Sequence, residues 1–252
     1  MKKLISLCLA MTMLLGSMVG CGKTPTSSSG NPSNSEGGGL GTPQTFKFGL
    51  TVASTHPYSI AAQNFAELVE EKSGGNMTVD LYYDSSLGDD AALMESMQMN
   101  AVTFALVGPA GIAPMCPIYE FFDLPCLFAT RDAAYAFQES EPVLELMDSL
   151  SANGLRGLGF YENGYYAISN NAKEITTVDG LNNLKLRSMT SEMAIKSWEC
   201  LNVQPVAMAF GELFMAMQTG TVDGQETTIG SFYTSKFYEV QKYVIDTNHV
   251  YE

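Results

Sequence analysis

The chain carries few residues that could do covalent or metal chemistry, and those few are scattered. Its two histidines, His56 and His249, lie far apart, and no HExxH, CxxC, GxSxG or GxxxxGK[ST] pattern is present. Cys8 and Cys21 fall in or just after an N-terminal leader, which leaves Cys116, Cys126 and Cys200. An odd three argues against a disulfide framework. A single Cys116–Cys126 bridge stays open, and otherwise the thiols are expected to be buried or inert. Met94, Met97 and Met99 follow i, i+3, i+5 spacing with no Cys/His cluster beside them, so they read as core packing and not as a soft-metal site. No nucleophile–base pair is legible, so neither an enzyme nor a cofactor or metal is implied.

What remains is recognition. The 252 residues hold 13 Lys+Arg against 27 Asp+Glu, a formal charge of −14. That balance excludes a nucleic-acid face, which needs local basic charge to neutralise phosphates, and a peripheral grip on anionic lipid. An anionic ligand would have to be held by a few local cations against the global field. Arg187 is one of the few. Its guanidinium is a planar fork that matches a carboxylate and stays charged when buried.

The elements that would position such a group begin after a leader. Lys2 and Lys3 precede an apolar run over residues 4–19, too short for a bilayer span, which ends in Met18-Val19-Gly20-Cys21. This reads as a signal peptide (1–20) with lipid attachment at Cys21. Residues 22–42 include 16 Gly, Ser, Thr or Pro among 21, a flexible linker with no apolar periodicity. Phe46, Phe48, Leu50 and Val52 then alternate as a strand. Ala62, Phe65, Ala66 and Val69 follow helical spacing up to Gly74-Gly75, and Met77, Val79, Leu81 and Tyr83 alternate again. A helix over 91–99 and a strand over 101–107 complete β-α-β-α-β, the pattern of parallel strands covered by helices. Further on, the spacing predicts a helix over 131–150 and strands over 155–161, 165–169, 184–187, 203–208, 221–225 and 243–247. Helices are expected over 191–200, 211–218 and up to 241. Met97-Gln98-Met99-Asn100-Ala101-Val102 echoes Met217-Gln218-Thr219-Gly220-Thr221-Val222. Each copy reads as a helix end, a residue tolerant of left-handed backbone, and a strand start, as in two lobes built on one α/β plan.

Ordered motifs carry a resemblance. They include His56-Pro57-Tyr58, Leu87-Gly88-Asp89, Phe122-Asp123-Leu124-Pro125, Leu184-Lys185-Leu186-Arg187, Met208-Ala209-Phe210-Gly211-Glu212, and the run Ala216-Met217-Gln218-Thr219-Gly220-Thr221-Val222-Asp223-Gly224-Gln225-Glu226, with Thr247-Asn248-His249 last. Together they resemble the solute-binding proteins of tripartite ATP-independent periplasmic (TRAP) transporters, of the dicarboxylate-binding type, over residues 46–252. The resemblance implies a two-lobe α/β fold like that of periplasmic binding proteins: lobe I over 46–163, lobe II over 164–252, joined by hinge strands. It also implies a chain that continues past Glu252 into a long C-terminal helix missing here.

It further implies that Arg187 makes the bidentate contact to a substrate carboxylate. Thr227 stands where the family usually has asparagine, and Tyr166 where it commonly has a second arginine. The loss of that cation favours a monocarboxylate, such as one with an apolar or aromatic body, over a doubly charged acid, and leaves Tyr166 able to stack or to donate its hydroxyl. Phe210 is expected to pack on the ligand, Thr190 to sit near a helix start able to hold an anion, and Val107 and Gly108 to line the first lobe's wall. His56, Glu95 and Asp223 match the family in structural roles. The implied protein is a monomer that captures an organic acid and delivers it to TRAP permease subunits. It would be extracytoplasmic and membrane-attached only through Cys21. The rival functions are a solute-binding protein of an ATP-driven (ABC) importer and a ligand-binding partner of a sensory receptor.

Overall fold

A computed structural model describes residues 42–252, so the leader, Cys21 and the linker up to residue 41 lie outside the described residues. Strand β1 (Gln44–Gly49) leads to helix α1 (Pro57–Lys72), whose first turn accepts Pro57 because the missing N–H has no helical partner there. Strand β2 (Met77–Tyr82), helix α2 (Asp90–Gln98) and strand β3 (Phe104–Ala105) follow. The three strands form a parallel sheet in the order β2-β1-β3. Phe48, Leu50, Val52 and Ala62 are buried in its core. Helix α2 lies so close to β1 that a Cβ on Gly49 would stand 2.3 Å from Leu93 Cδ2.

The short α3 (Pro109–Ile112) and a 3₁₀ turn (Pro117–Asp123) lead to α4 (Arg131–Gln138) and α5 (Glu141–Ser149). A single helix over 131–150 is therefore corrected to two. Ser140 opens the second, and Pro142, which cannot continue a helix from upstream, sits in its first turn. The expected strand over 101–107 shrinks to Phe104–Ala105, and 155–161 pairs with no neighbour, leaving Leu158 69% exposed.

The second sheet holds β4 (Tyr165–Asn170), β5 (Lys185–Ser188), β6 (Gln204–Ala207), β7 (Gly224–Thr228) and β8 (Tyr243–Tyr251), in the order β6-β5-β7-β4-β8. Helix α6 (Glu192–Glu199) links β5 to β6, α7 (Leu213–Gln218) precedes β7, and α8 (Ile229–Thr234) follows it. Strands β5, β6 and β7 run parallel, whereas β4 is antiparallel to β7 and β8. Leu186 has no exposed surface and packs with Ile168, Leu184, Trp198 and Val203. Burying such a leucine contributes about 1.5–3 kcal/mol. The repeated motif is structural: Asn100 and Gly220 both have left-handed backbone, φ 56° and 72°, before β3 and β7 respectively.

Strand β8 is irregular against β4. Its register jumps between the pairs Ala167↔Asp246 and Tyr165↔Tyr251, with Asn248 at φ 50° inside the bulge. The jump returns the chain to β4's start, where Asn163 and Gly164 N–H groups both donate to the Glu252 carbonyl at 2.8 and 2.9 Å. The segments 163–165 and 251–252 thus lie side by side at the end of the second sheet.

The thiols of Cys116, Cys126 and Cys200 are free, so the optional Cys116–Cys126 bridge is absent. Of the expected buried or inert thiols, Cys126 and Cys200 are exposed and Cys116 is half-buried. Met94 is buried as expected, but Met99 is 69% exposed. Among the described residues no cluster of three metal-ligating side chains occurs.

Candidate functional site

Strand alternation sets the central side chain. Leu186 points into the hydrophobic core of the second sheet, so Arg187 projects from the opposite face. Arg187 is nonetheless only 7% exposed. Its Nε donates to the Met208 carbonyl at 3.1 Å, which holds the plane of the guanidinium. No carboxylate bridges it among the described residues, and its terminal nitrogens have no partner there. Burial lowers its proton affinity while Tyr166, Glu226, Glu252 and Asp90 around it raise it. A guanidinium stays charged under these conditions.

Arg187 lines a cavity of about 130 Å³ that opens between the two sheets. The side of the first sheet supplies Thr51, Asp90 and Gly108. The side of the second supplies Tyr166, Thr190, Phe210 and Thr227, and the paired segments at its end supply Asn163 and Glu252. Six of the sequence-derived site residues therefore meet here: Arg187, Thr227, Tyr166, Phe210, Thr190 and Gly108. Thr227 is buried in β7, opposite Ala167. Phe210 packs against the cores of both sheets as well as lining the cavity. Thr190 is exposed at the rim, just before Ser191, whose hydroxyl already caps α6 by accepting from Ala194 N at 3.1 Å.

Val107 stands apart. It lines a larger cavity of about 650 Å³ between residues 102–109 and 154–161, where Met94, Phe104, Ile112 and Leu155 give an apolar wall. Cys21 lies outside the described residues.

Four contributors escaped the sequence reading: Asp90, Asn163, Ser231 and Glu252. Asp90 opens α2 directly after Asp89, whose carboxylate caps the helix by accepting from Ala92 N at 2.9 Å. Asp90 Oδ1 is buried without a partner. Burial, then the charge of Glu252, push its carboxyl up to about 7. Glu252 Oε2 accepts from the Tyr166 hydroxyl at 2.6 Å and from Asn163 Nδ2 at 2.7 Å. Burial, then Glu252, in turn push the Tyr166 phenol well above its ordinary range.

The expected structural residues are placed as well. His56 Nδ1 accepts from Tyr58 N at 3.1 Å and so caps α1. Its Nε2 then carries the proton and donates to Ser231 Oγ at 3.0 Å. Burial holds this imidazole down at about 4. Ser231 Oγ donates on to Asn163 Oδ1 at 3.1 Å, and Thr228 Oγ1 donates to the same oxygen at 2.8 Å. Asp223 Oδ2 accepts from Lys185 N at 2.8 Å, tying β5 to the turn before β7. Glu95 is exposed on α2.

The one hydroxyl beside an imidazole here is Ser231, and His56 Nε2 donates to it instead of accepting its proton. The arrangement offers one cation with free donors, ringed by acceptors, between two sheets. A family model described as bacterial extracellular solute-binding protein, family 7, matches residues 48–252. The C4-dicarboxylate-binding periplasmic protein DctP of Rhodobacter capsulatus is 34% identical over 217 residues, covering 84% of this chain and 64% of that protein. The chain thus spans a little under two thirds of the length of the curated relatives it matches. The crystal structure of the sugar acid binding protein DctPAm from Advenella mimigardefordensis, in complex with galactonate, superposes with a TM-score of 0.82 at 38% identity, covering 83% of this chain and 68% of that one. A TRAP periplasmic solute-binding protein from Sulfurospirillum deleyianum with bound succinate gives 0.81 at 28% identity, covering 83% and 68%.

Proposed function

Because the chain belongs to the bacterial extracellular solute-binding proteins of family 7, we propose that it captures an organic acid through a carboxylate held on Arg187. The acid is then delivered to the membrane permease of a TRAP transporter. The observation that carries this reading is the buried guanidinium with its terminal nitrogens unpaired and facing the cavity between the sheets. A buried charge without a counter-ion is costly, and an arriving carboxylate removes that cost while making two charge-assisted bonds. The lobes, taken as 46–163 and 164–252, close around it by hinge motion at the segments that join them. Thr227 donates a hydroxyl to the acid, Phe210 packs on its body, Tyr166 orients Glu252 beside it, and Thr190 and Gly108 border the entrance. The relatives are binding proteins and not enzymes, and the acid leaves unchanged.

The protein works outside the cytoplasm as a monomer, held to the membrane by lipid on Cys21. Replacing Cys21 with serine is expected to release it into the soluble fraction.

Isothermal titration against a panel of organic acids tests the central claim. Arg187→Ala should weaken any binding acid by roughly 10²–10³-fold, since removing one partner of a buried ion pair costs about 3–5 kcal/mol. Binding that survives this change unaltered, or binding confined to neutral solutes, would overturn the assignment.

A further inference from the structure

Glu252 is the carboxylate best placed to disable the proposed anchor. It lines the same cavity as Arg187, as does Tyr166, whose hydroxyl donates to Glu252 Oε2 at 2.6 Å. Burial lowers the proton affinity of Arg187, whereas Tyr166, Glu226 and Glu252 raise it, so Glu252 acts within the field of the guanidinium. In a buried cavity two such charges attract each other far more strongly than in water. The two side chains nevertheless form no ion pair.

The backbone of Glu252 is pinned: its carbonyl accepts from Asn163 N and Gly164 N, and its N–H donates to the Gly164 carbonyl at 3.1 Å. Only the side chain is free to turn. Oε1 abuts Gly108, where even a Cβ would stand 2.9 Å away, so that side is closed. Oε2 accepts from Tyr166 and, at 2.7 Å, from Asn163 Nδ2. A carboxylate only accepts, so the Asn163 amide nitrogen has to face Glu252 and its oxygen has to face away. That oxygen accepts from Thr228 Oγ1 at 2.8 Å and from Ser231 Oγ at 3.1 Å. Ser231 spends its one proton there because it accepts from His56 Nε2 at 3.0 Å, and Nε2 carries the proton because Nδ1 accepts from Tyr58 N. The bonds thus run one way, from the start of α1 beside the first sheet, through α8, to Glu252 beside Arg187. His56, Thr228 and Ser231 are buried, so no bulk water replaces a broken link.

Resting on the reading of Arg187 as the carboxylate anchor, we propose that Glu252 is an internal competitor for Arg187, and that Asn163 is a positioning residue which holds it off. Thr228, Ser231 and His56 act through Asn163 by fixing the direction of its amide. With the Asn163 side chain lost, Oε2 keeps Tyr166 alone, and the carboxylate turns onto the guanidinium. The apparent affinity for an acid then falls with the fraction of molecules in which Arg187 stays free. If Glu252 holds it roughly nine-tenths of the time, the loss is about tenfold.

Two measurements test this, with circular-dichroism spectra to confirm that each variant is folded. The first is urea denaturation without any acid. Arg187→Met should lower the midpoint more in an Asn163→Ala background than in the wild type, because there it breaks a formed ion pair. Equal shifts would overturn the proposal, whichever acid the protein binds. The second is isothermal titration with acetate, succinate and galactonate. Asn163→Ala should weaken every probe that binds the wild type by about tenfold. In a Glu252→Gln background the same change should cost less than about twofold, because the competitor has lost its charge. A purely structural Asn163, or one that touches the acid directly, would weaken binding equally in both backgrounds and so overturn the proposal. Unchanged affinity in Asn163→Ala would do the same. Probes that bind as well to Arg187→Ala as to the wild type would overturn the anchor itself, and the urea comparison would still judge the competition between Glu252 and Asn163.

Discussion

Asp123 is placed where a carboxylate should not be comfortable, and its replacement by asparagine tests how the fold bears its acidity. The residue ends the 3₁₀ turn Pro117–Asp123, is 4% exposed, and its Oδ2 has no hydrogen-bond partner. Burial pushes its carboxyl from 3.8 up to about 7, with Glu252, Glu226 and Glu120 adding to the rise and a hydroxyl contact from Ser191 opposing it. The folded protein thus binds this proton more tightly than the unfolded chain. Between about pH 4 and about pH 7 the native state holds more protons, so this residue's contribution to stability falls as pH rises through that window and is flat above it. Each tenfold step in proton affinity corresponds to about 1.36 kcal/mol, which makes the full cost up to about 4 kcal/mol at pH 8. An asparagine at this position would escape the charge but still bury an amide, at about 1–3 kcal/mol. The net expectation for Asp123→Asn is therefore a gain of about 1–3 kcal/mol at pH 8 and a loss of about 1–3 kcal/mol at pH 4, where the aspartate is already protonated and only the amide cost remains. For a domain of this size that is a rise in Tm of roughly 2–12 °C at the higher pH. Paired thermal melts of both proteins from pH 4 to 8 measure the difference. A difference that stays constant with pH, or that favours aspartate as pH rises, would refute the reasoning.

Two further perturbations probe other parts of the structure. His56→Ala removes the cap on α1 and the bond to Ser231. It should cost about 2 kcal/mol at pH 7, read by urea denaturation. Because burial holds His56 at about 4 instead of 6.5, the wild type should lose stability as pH falls from about 6.5 to about 4, and the variant should lack that loss. Gly224→Ala would set a Cβ 1.9 Å from the Ser169 carbonyl, where β7 and β4 run together, and should cost more than about 3 kcal/mol in the same assay. Gly230→Ala is the control, since the nearest atom is 3.9 Å away, and it should be neutral or slightly stabilising.

Much of the fold was legible because local signals agreed. The first β-α-β-α-β run follows from alternation, helical spacing and glycine stops. The echo at Asn100 and Gly220 marks two matching helix-to-strand turns. What failed were features that depend on partners far away in sequence. Residues 101–107 and 155–161 are apolar enough for strands, but a strand exists only where a neighbour supplies the ladder. The first finds β1 for just two residues and the second finds nothing. In the site, Arg187 was legible as a rare cation ending an apolar strand. Asp90 was hidden because two successive aspartates before a helix read as capping, and only Asp89 caps. Glu252 was hidden because a bulge in β8, which no periodicity announces, carries it back beside Gly164.

On the function proposed for Arg187, an acidic chain has to keep a buried arginine available. The carboxylates around Arg187 would be expected to claim it, since an internal ion pair removes the cost of burying the charge. Other donors engage them instead. Glu226 accepts from Trp198 Nε1 at 2.8 Å and pairs with His249 Nε2 at 2.8 Å. Glu252 accepts from Tyr166 and Asn163, and Asn163 is itself fixed by Ser231 and Thr228, with His56 behind Ser231. Asp90 keeps an oxygen without such a donor, and burial pushes its carboxyl up to about 7. Each competitor is thus satisfied or neutralised without reaching the guanidinium, whose terminal nitrogens stay unspent. That is preorganisation in the electrostatic sense: the cost of holding Arg187 unpaired is met when the protein folds, and the carboxylate proposed to bind it would displace no internal partner.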